Sequence, residues 1–185
     1  MKKQLLLLLL AGAALGAGAQ VNRARPRFRS INSVGLTAGA YDTPGQLQTT
    51  NGLQWGAWYA GIGIAYDPYR IKTVPYFLDL RRRVGPATLP FFLFADAGRQ
   101  LVVAGTNKDG LKHRWNGGLY YDAGVGYSVL LKGSNALDLA LGYSRKYLRD
   151  EVSEPTFCPG GNCPDLNYRL DHRFTRVTIR VGWSF

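Results

Sequence analysis

A two-residue alternation runs through the last ten residues of the chain. Val177, Ile179, Val181, Trp183 and Phe185 alternate with Arg176, Thr178, Arg180, Gly182 and Ser184. An extended backbone therefore puts every apolar side chain on one face and both arginines on the other. The same parity recurs upstream. Leu137, Leu139, Leu141 and Tyr143 oppose Asp138, Ala140, Gly142 and Ser144, and over 119–131 the apolar set from Leu119 to Leu131 opposes Tyr120, Asp122, Gly124, Gly126 and Ser128. Phe91, Leu93, Ala95 and Ala97 oppose Phe92, Phe94, Asp96, Gly98 and Gln100, while Val74, Tyr76, Leu78 and Leu80 oppose Phe77, Asp79, Arg81 and Arg83. Weaker versions cover 59–66, 46–54 and 33–41.

These segments predict eight strands, each with one apolar and one polar face. Two closed architectures accept that pattern. A soluble lipocalin-like barrel turns the apolar face inward around a ligand, which would leave Asp79, Arg176 and Arg180 outside. A transmembrane barrel turns it outward to lipid. Only the second gives the aromatic end and the tyrosine-rich strand ends a role, as interfacial girdles. The expected fold is all-β, an eight-stranded antiparallel transmembrane β-barrel with short periplasmic turns and longer extracellular loops. An even strand count puts both ends on the periplasmic side. Counting back from Phe185, short turns near 55–58, 84–88 and 132–134 fall inside and the connections 101–114 and 149–171 fall outside.

The N-terminal residues read as a sorting signal. Lys2 and Lys3 precede the apolar run Leu5 to Leu10, and Ala17-Gly18-Ala19 before Gln20 is a small-residue cleavage site. The apolar stretch from Leu5 to Ala19 is short of the ~20 residues that a membrane-crossing helix needs and thins into Ala and Gly. Residues 1–19 are therefore assigned as a signal peptide, 20–30 as a basic periplasmic arm and 31–185 as the barrel. Of the formal charge of +11, Lys2 and Lys3 contribute two and Arg23, Arg25, Arg27 and Arg29 four, which leaves +5. The arginine run reads either as a solvated arm or as attraction to anionic headgroups. No aromatic and basic groove motif indicates nucleic acid. Cys158 and Cys163 enclose Pro159-Gly160-Gly161-Asn162, a loop expected to close as a disulfide in an oxidising envelope. No metal site is expected, because no second cysteine pair or histidine accompanies them, and no cofactor motif is present.

The inward parity gathers charge. Asp79, Asp96, Asp122 and Asp138 come from four consecutive strands, with Arg81, Arg83, Arg176 and Arg180 on the same side. An eight-stranded barrel has just enough interior for side chains, so the expectation is a salt-bridged plug that satisfies buried charge. An acid–base site or cation path is disfavoured by the matching arginines, which hold carboxylates ionised. His113 and His172 are the only histidines and are expected near the outer rim, without a recognisable serine–histidine spacing.

Leu47 to Gly52, Ala60-Gly61-Ile62-Gly63, Val74 to Arg82, Phe91 to Gly98 and Arg180 to Phe185 resemble small outer-membrane β-barrel proteins common in Bacteroidota-type bacteria. The resemblance covers nearly the whole mature chain and implies an outer-membrane location. It further implies that the ending with Val181, Trp183 and Phe185 is the signal read by the barrel-insertion machinery. It transfers no catalytic or binding residue.

Three function classes follow. The first is a structural or surface-interaction barrel, embedded in outer-membrane lipid and meeting an extracellular or envelope partner through 149–171, where Phe157, Leu166 and Tyr168 are expected to be exposed. The second is a narrow pore or accessory subunit of an envelope complex. The third is a lipid-modifying enzyme, for which only the two histidines speak, so the chain is read as non-enzymatic.

Overall fold

The computed structural model describes residues 25–85, 90–104, 112–131, 133–154 and 165–185. The expected signal peptide and the Cys158–Cys163 loop, with Phe157, lie outside the described residues. The strands are β1 (Arg27–Gly39), β2 (Gly45–Trp55), β3 (Trp58–Tyr66), β4 (Lys72–Val84), β5 (Phe91–Ala104), β6 (Lys112–Leu130), β7 (Ala136–Glu154) and β8 (Leu166–Ser184). Each pairs antiparallel with the next, and β8 returns to β1 through Ile31↔Ser184 to Gly39↔Arg176, closing the ring. Closure leaves no strand edge unpaired, which a bilayer demands because it offers no water to free backbone groups.

The apolar parity faces outward all round the ring. Val34, Leu36, Ile62, Leu78, Leu93, Val125, Leu139 and Ile179 are exposed, while Asp79, Asp96, Asp122, Arg176 and Arg180 are buried. An apolar belt of this kind outside and a charged interior is stable only with lipid around it. Tyr66, Tyr76, Tyr121 and Tyr143 ring the belt at its extracellular edge and Trp55, Phe91, Tyr127 and Trp183 at its periplasmic edge, where amphipathic rings suit the headgroup layer. The periplasmic connections are 56–57, 85–90 and 131–135; the extracellular ones are 40–44, 67–71, 105–111 and 155–165.

The structure corrects three boundaries. First, β1 begins at Arg27, so Arg27 and Arg29 are strand residues of inward parity and not part of an arm. Second, β6, β7 and β8 have 19 residues each, against 9 to 14 in β1 to β5. The expected loop 149–171 is therefore largely paired: Arg149↔Asp171 through Glu154↔Leu166 continue the ladder, and the same growth shortens the expected 101–114 connection. Third, a register shift between Gly117 and Tyr120 reverses the parity of β6 above it. A bulge of this type re-aims side chains, and here it swings His113 and Trp115 inward.

Candidate functional site

The lumen holds charge in three layers. Nearest the periplasm, Arg29 of β1 donates to the Gln54 side chain at 2.9 Å, to Ser184 Oγ at 2.5 Å and to Asp138 at 3.4 Å. Ser128 donates to the other oxygen of Asp138 at 2.5 Å. In the middle, Arg81 grips Asp79 through Nε at 2.9 Å and a terminal nitrogen at 2.7 Å. Arg180 lies 3.0 Å from Asp122 and 3.5 Å from Asp96, and donates to Gln48 at 2.6 Å. Its guanidinium also covers the Phe94 ring, 4.7 Å from the centroid. Room for rings between the charges comes from small residues on the facing strand; a Cβ on Gly126 would collide with the ring of Phe92.

The outermost layer is built around Asp67, which sequence parity did not single out because it lies beyond β3. The 67–71 connection folds into the mouth, so Asp67, Tyr69 and Ile71 are buried, with Arg70 in the left-handed region at φ 58°. Asp67 accepts from Arg176 and from the Tyr69 amide, the latter at 3.0 Å. Lys146 lies 3.7 Å from Asp67 and donates to the carbonyls of Tyr69 and Ile71 at 3.2 and 2.9 Å. A buried ammonium that meets backbone carbonyls as well as a carboxylate has its donors satisfied. Tyr69 covers this layer: its ring packs edge-on against Phe174, with centroids 5.7 Å apart. A Cβ on Gly39 would strike the same ring.

Of the eight charged residues expected to share the interior, seven are in these layers. Arg83 has the inward parity but is exposed at the periplasmic mouth, where it donates to the Gly56 carbonyl at 2.8 Å. Sequence reasoning missed Arg29, Asp67 and Lys146. Arg29 falls in the stretch read as an arm, Asp67 lies between the segments read as strands, and Lys146 lies beyond the apolar part of β7. The odd spacing of Arg25, Arg27 and Arg29 was the available signal for the first. Val181, Trp183 and Phe185 face outward on the last strand, and Phe185 exchanges backbone hydrogen bonds of 3.0 and 2.9 Å with Ser30.

Above the lumen stands a second constellation. His113 Nδ1 lies 2.6 Å from Asp150, and Trp115 sits between His113 and His172, which itself stacks on Phe174 at 6.0 Å. Two histidines near the rim were expected; Trp115 and Asp150 as their neighbours were not. Among the described residues His172 meets aromatic rings and no hydroxyl. On the same face, Leu148 and Val152 are buried, while Leu166, Tyr168 and Leu170 are exposed, at 58%, 38% and 41%. The opposite face carries Arg149, Glu151, Asn167, Arg169, Asp171 and Arg173. The ribbon has thus inverted its polarity on leaving the membrane.

Among the described residues no group of three His, Cys, Asp or Glu is placed to hold a metal ion. No family model matches the chain, and no curated protein matches it. Solved structures do match. Outer membrane protein AlkL, determined by solid-state NMR in DMPC lipid bilayers, superposes with a TM-score of 0.52 at 14% identity, over 90% of this chain and 92% of AlkL. Outer membrane protein OprG from Pseudomonas aeruginosa gives a TM-score of 0.52 at 13% identity, over 90% of this chain and 98% of OprG. At such identities the likeness is one of fold, and it agrees with the surface the ring turns to its surroundings: the chain is an outer-membrane β-barrel.

Proposed function

We propose that the chain is a closed, non-conducting barrel whose lumen is structural and whose raised β6–β7–β8 wall meets an extracellular or envelope partner. One observation carries the first half. Asp67, Asp79, Asp96, Asp122 and Asp138 each have a salt-bridge partner among Arg29, Arg81, Lys146, Arg176 and Arg180. Five anions against five cations in three stacked layers leave, among the described residues of these layers, no unpaired charge to draw an ion through. The second half is supported by the polarity inversion, since Leu166, Tyr168 and Leu170 offer an apolar face above the mouth where no lipid covers it. This reading is non-catalytic. The affiliation with Bacteroidota-type barrels rests on the sequence resemblance.

A narrow gated path is the second reading, favoured by one feature. The outermost layer hangs on the 67–71 connection and not on a strand, so its closure depends on how Lys146 holds two backbone carbonyls. Planar-bilayer recordings separate the readings. The wild-type protein is expected to give little or no conductance; large, steady single-channel currents would overturn the closed lumen. We also propose that Cys158 and Cys163, in the connection between β7 and β8, form a disulfide. Mass spectrometry of non-reduced protein tests this, and two alkylatable thiols would refute it.

A further inference from the structure

The arginines that lead into β1 gather at the periplasmic mouth, and all but Arg29 stand outside the charge pairs of the lumen. Arg25, Arg27 and Arg29 approach from one side of the ring and Arg83 from the end of β4, and with Gln54 and Gly56 they line a cavity of about 600 Å³. Arg29 is occupied by Gln54, Ser184 and Asp138. Arg25, Arg27 and Arg83 meet no carboxylate among the described residues. Asp138, the nearest lumenal carboxylate, is already shared by Arg29 and Ser128. Even with a carboxylate at the end of Phe185 included, the mouth keeps a net positive charge.

The other wall of the cavity is apolar. Phe28, Leu130 and Phe185 line it; Phe28 and Phe185 face outward, exposed at 65% and 53%, and Leu130, opposite the buried Ala136, stands on the lumenal side of the rim. The cavity therefore crosses the rim from the charged lumen to the lipid-facing surface, at the level of the periplasmic girdle. Guanidinium groups fit phosphate oxygens with paired hydrogen bonds, and like charges crowded without counter-charge are relieved by a bound anion. We propose that this mouth is a binding site for a phosphate-ester anion, supplied by the headgroup of an anionic phospholipid of the periplasmic leaflet. Its acyl chains run along Phe28 and Phe185.

The test uses the full chain in phosphatidylcholine vesicles that contain a spin-labelled phosphatidylglycerol, whose motionally restricted fraction reports association with the barrel. Wild type is expected to favour phosphatidylglycerol over an equally labelled phosphatidylcholine. Arg25→Ser with Arg27→Ser and Arg83→Ser should lower that selectivity by about fivefold or more, each basic residue near an anionic leaflet being worth about fivefold. A charge-matched control, Arg149→Ser with Arg169→Ser and Arg173→Ser at the extracellular end, should retain it. Heat-modifiable migration on gels verifies that each variant is folded, and Arg25→Ser with Arg27→Ser alone spares the Arg83 bond to Gly56. Equal selectivity in wild type and mouth variant, or an equal loss in the control, would overturn the proposal. A second arm titrates inorganic phosphate into the detergent-solubilised protein and follows ³¹P line width. Phosphate binding that the mouth variant loses, without phosphatidylglycerol selectivity in vesicles, would overturn the headgroup as source and assign the site to soluble phosphate esters.

Discussion

The β7–β8 ribbon is two structures in one. From Ala136 to Ser144 it turns Leu137, Leu139, Leu141 and Tyr143 outward and buries Asp138 and Ser144; from Arg145 to Glu154 it turns Arg145, Arg149 and Glu151 outward and buries Leu148 and Val152 beside Lys146 and Asp150. Backbone pairing is continuous across the change, so the ladder is indifferent to it. What differs is the solvent. Below Tyr143 the outer face meets lipid and the interior must hold the charge; above it the outer face meets water and carries the polar residues, and apolar side chains enter the interior. A lipid-exposed Arg145 is avoided because it stands at the boundary, 5.6 Å from the Tyr143 ring.

The sharpest way to break this contrast is to remove a charge from the lower half. Asp96 and Asp122 are fully buried and share Arg180. Arg180→Ala is expected to destabilise the barrel by about 3–5 kcal/mol, the range for leaving a buried charge without its partner. Urea unfolding in lipid vesicles, followed by tryptophan fluorescence, measures it. A change under about 1 kcal/mol would mean that the pairs inside behave as exposed ones do, and the closed charged lumen would no longer describe the interior.

In the upper half the equivalent deletion is apolar. Leu148 packs in a buried cluster with Tyr69, Ile71 and Phe174. Leu148→Ala should cost about 2–3 kcal/mol, near the lower end for a buried leucine, because the cluster borders water and can partly collapse. The loss should be local: amide exchange accelerates in β7 and β8 above Ser144 and around Tyr69, while protection from Leu137 to Ser144 is unchanged. Acceleration throughout the ribbon would show that its two halves open as one unit.

The same boundary decides what could be read from the sequence. Strand number, closure and the inward set Asp79, Asp96, Asp122, Asp138, Arg176 and Arg180 follow from one rule, that apolar residues alternate outward. That rule holds only in lipid. Above it the alternation persists in Leu148, Asp150 and Val152 and in Leu166, Tyr168, Leu170 and His172, but with reversed meaning, so 149–171 read as loop although most of it is strand. Asp67 was illegible for another reason. A connection that folds back into a mouth has no period, and its burial is set by Lys146 and Arg176, far away in sequence. His113 and Trp115 were hidden by the register shift at Gly117 and Tyr120, where the adjacent glycines 117 and 118 were the one local hint.

The smallest effect is expected where the upper ribbon carries its visible ion pair. Arg149 and Asp171 lie opposite each other on the outer face, 3.3 Å apart, with side chains 49% and 63% exposed. Water and salt screen such a pair, and holding two mobile side chains in one geometry offsets much of its attraction. Asp171→Asn keeps the shape and leaves the backbone ladder on both sides intact, so stability should shift by no more than about 0.5 kcal/mol. Protease resistance of the raised wall should also be unchanged at low and high salt. A clear loss, reversed neither by salt nor by restoring a carboxylate as Glu, would place the ribbon's upper stability in its outer charges. The inward cluster of Leu148, Phe174 and Tyr69 would then be an accessory to the extension and not what holds it up.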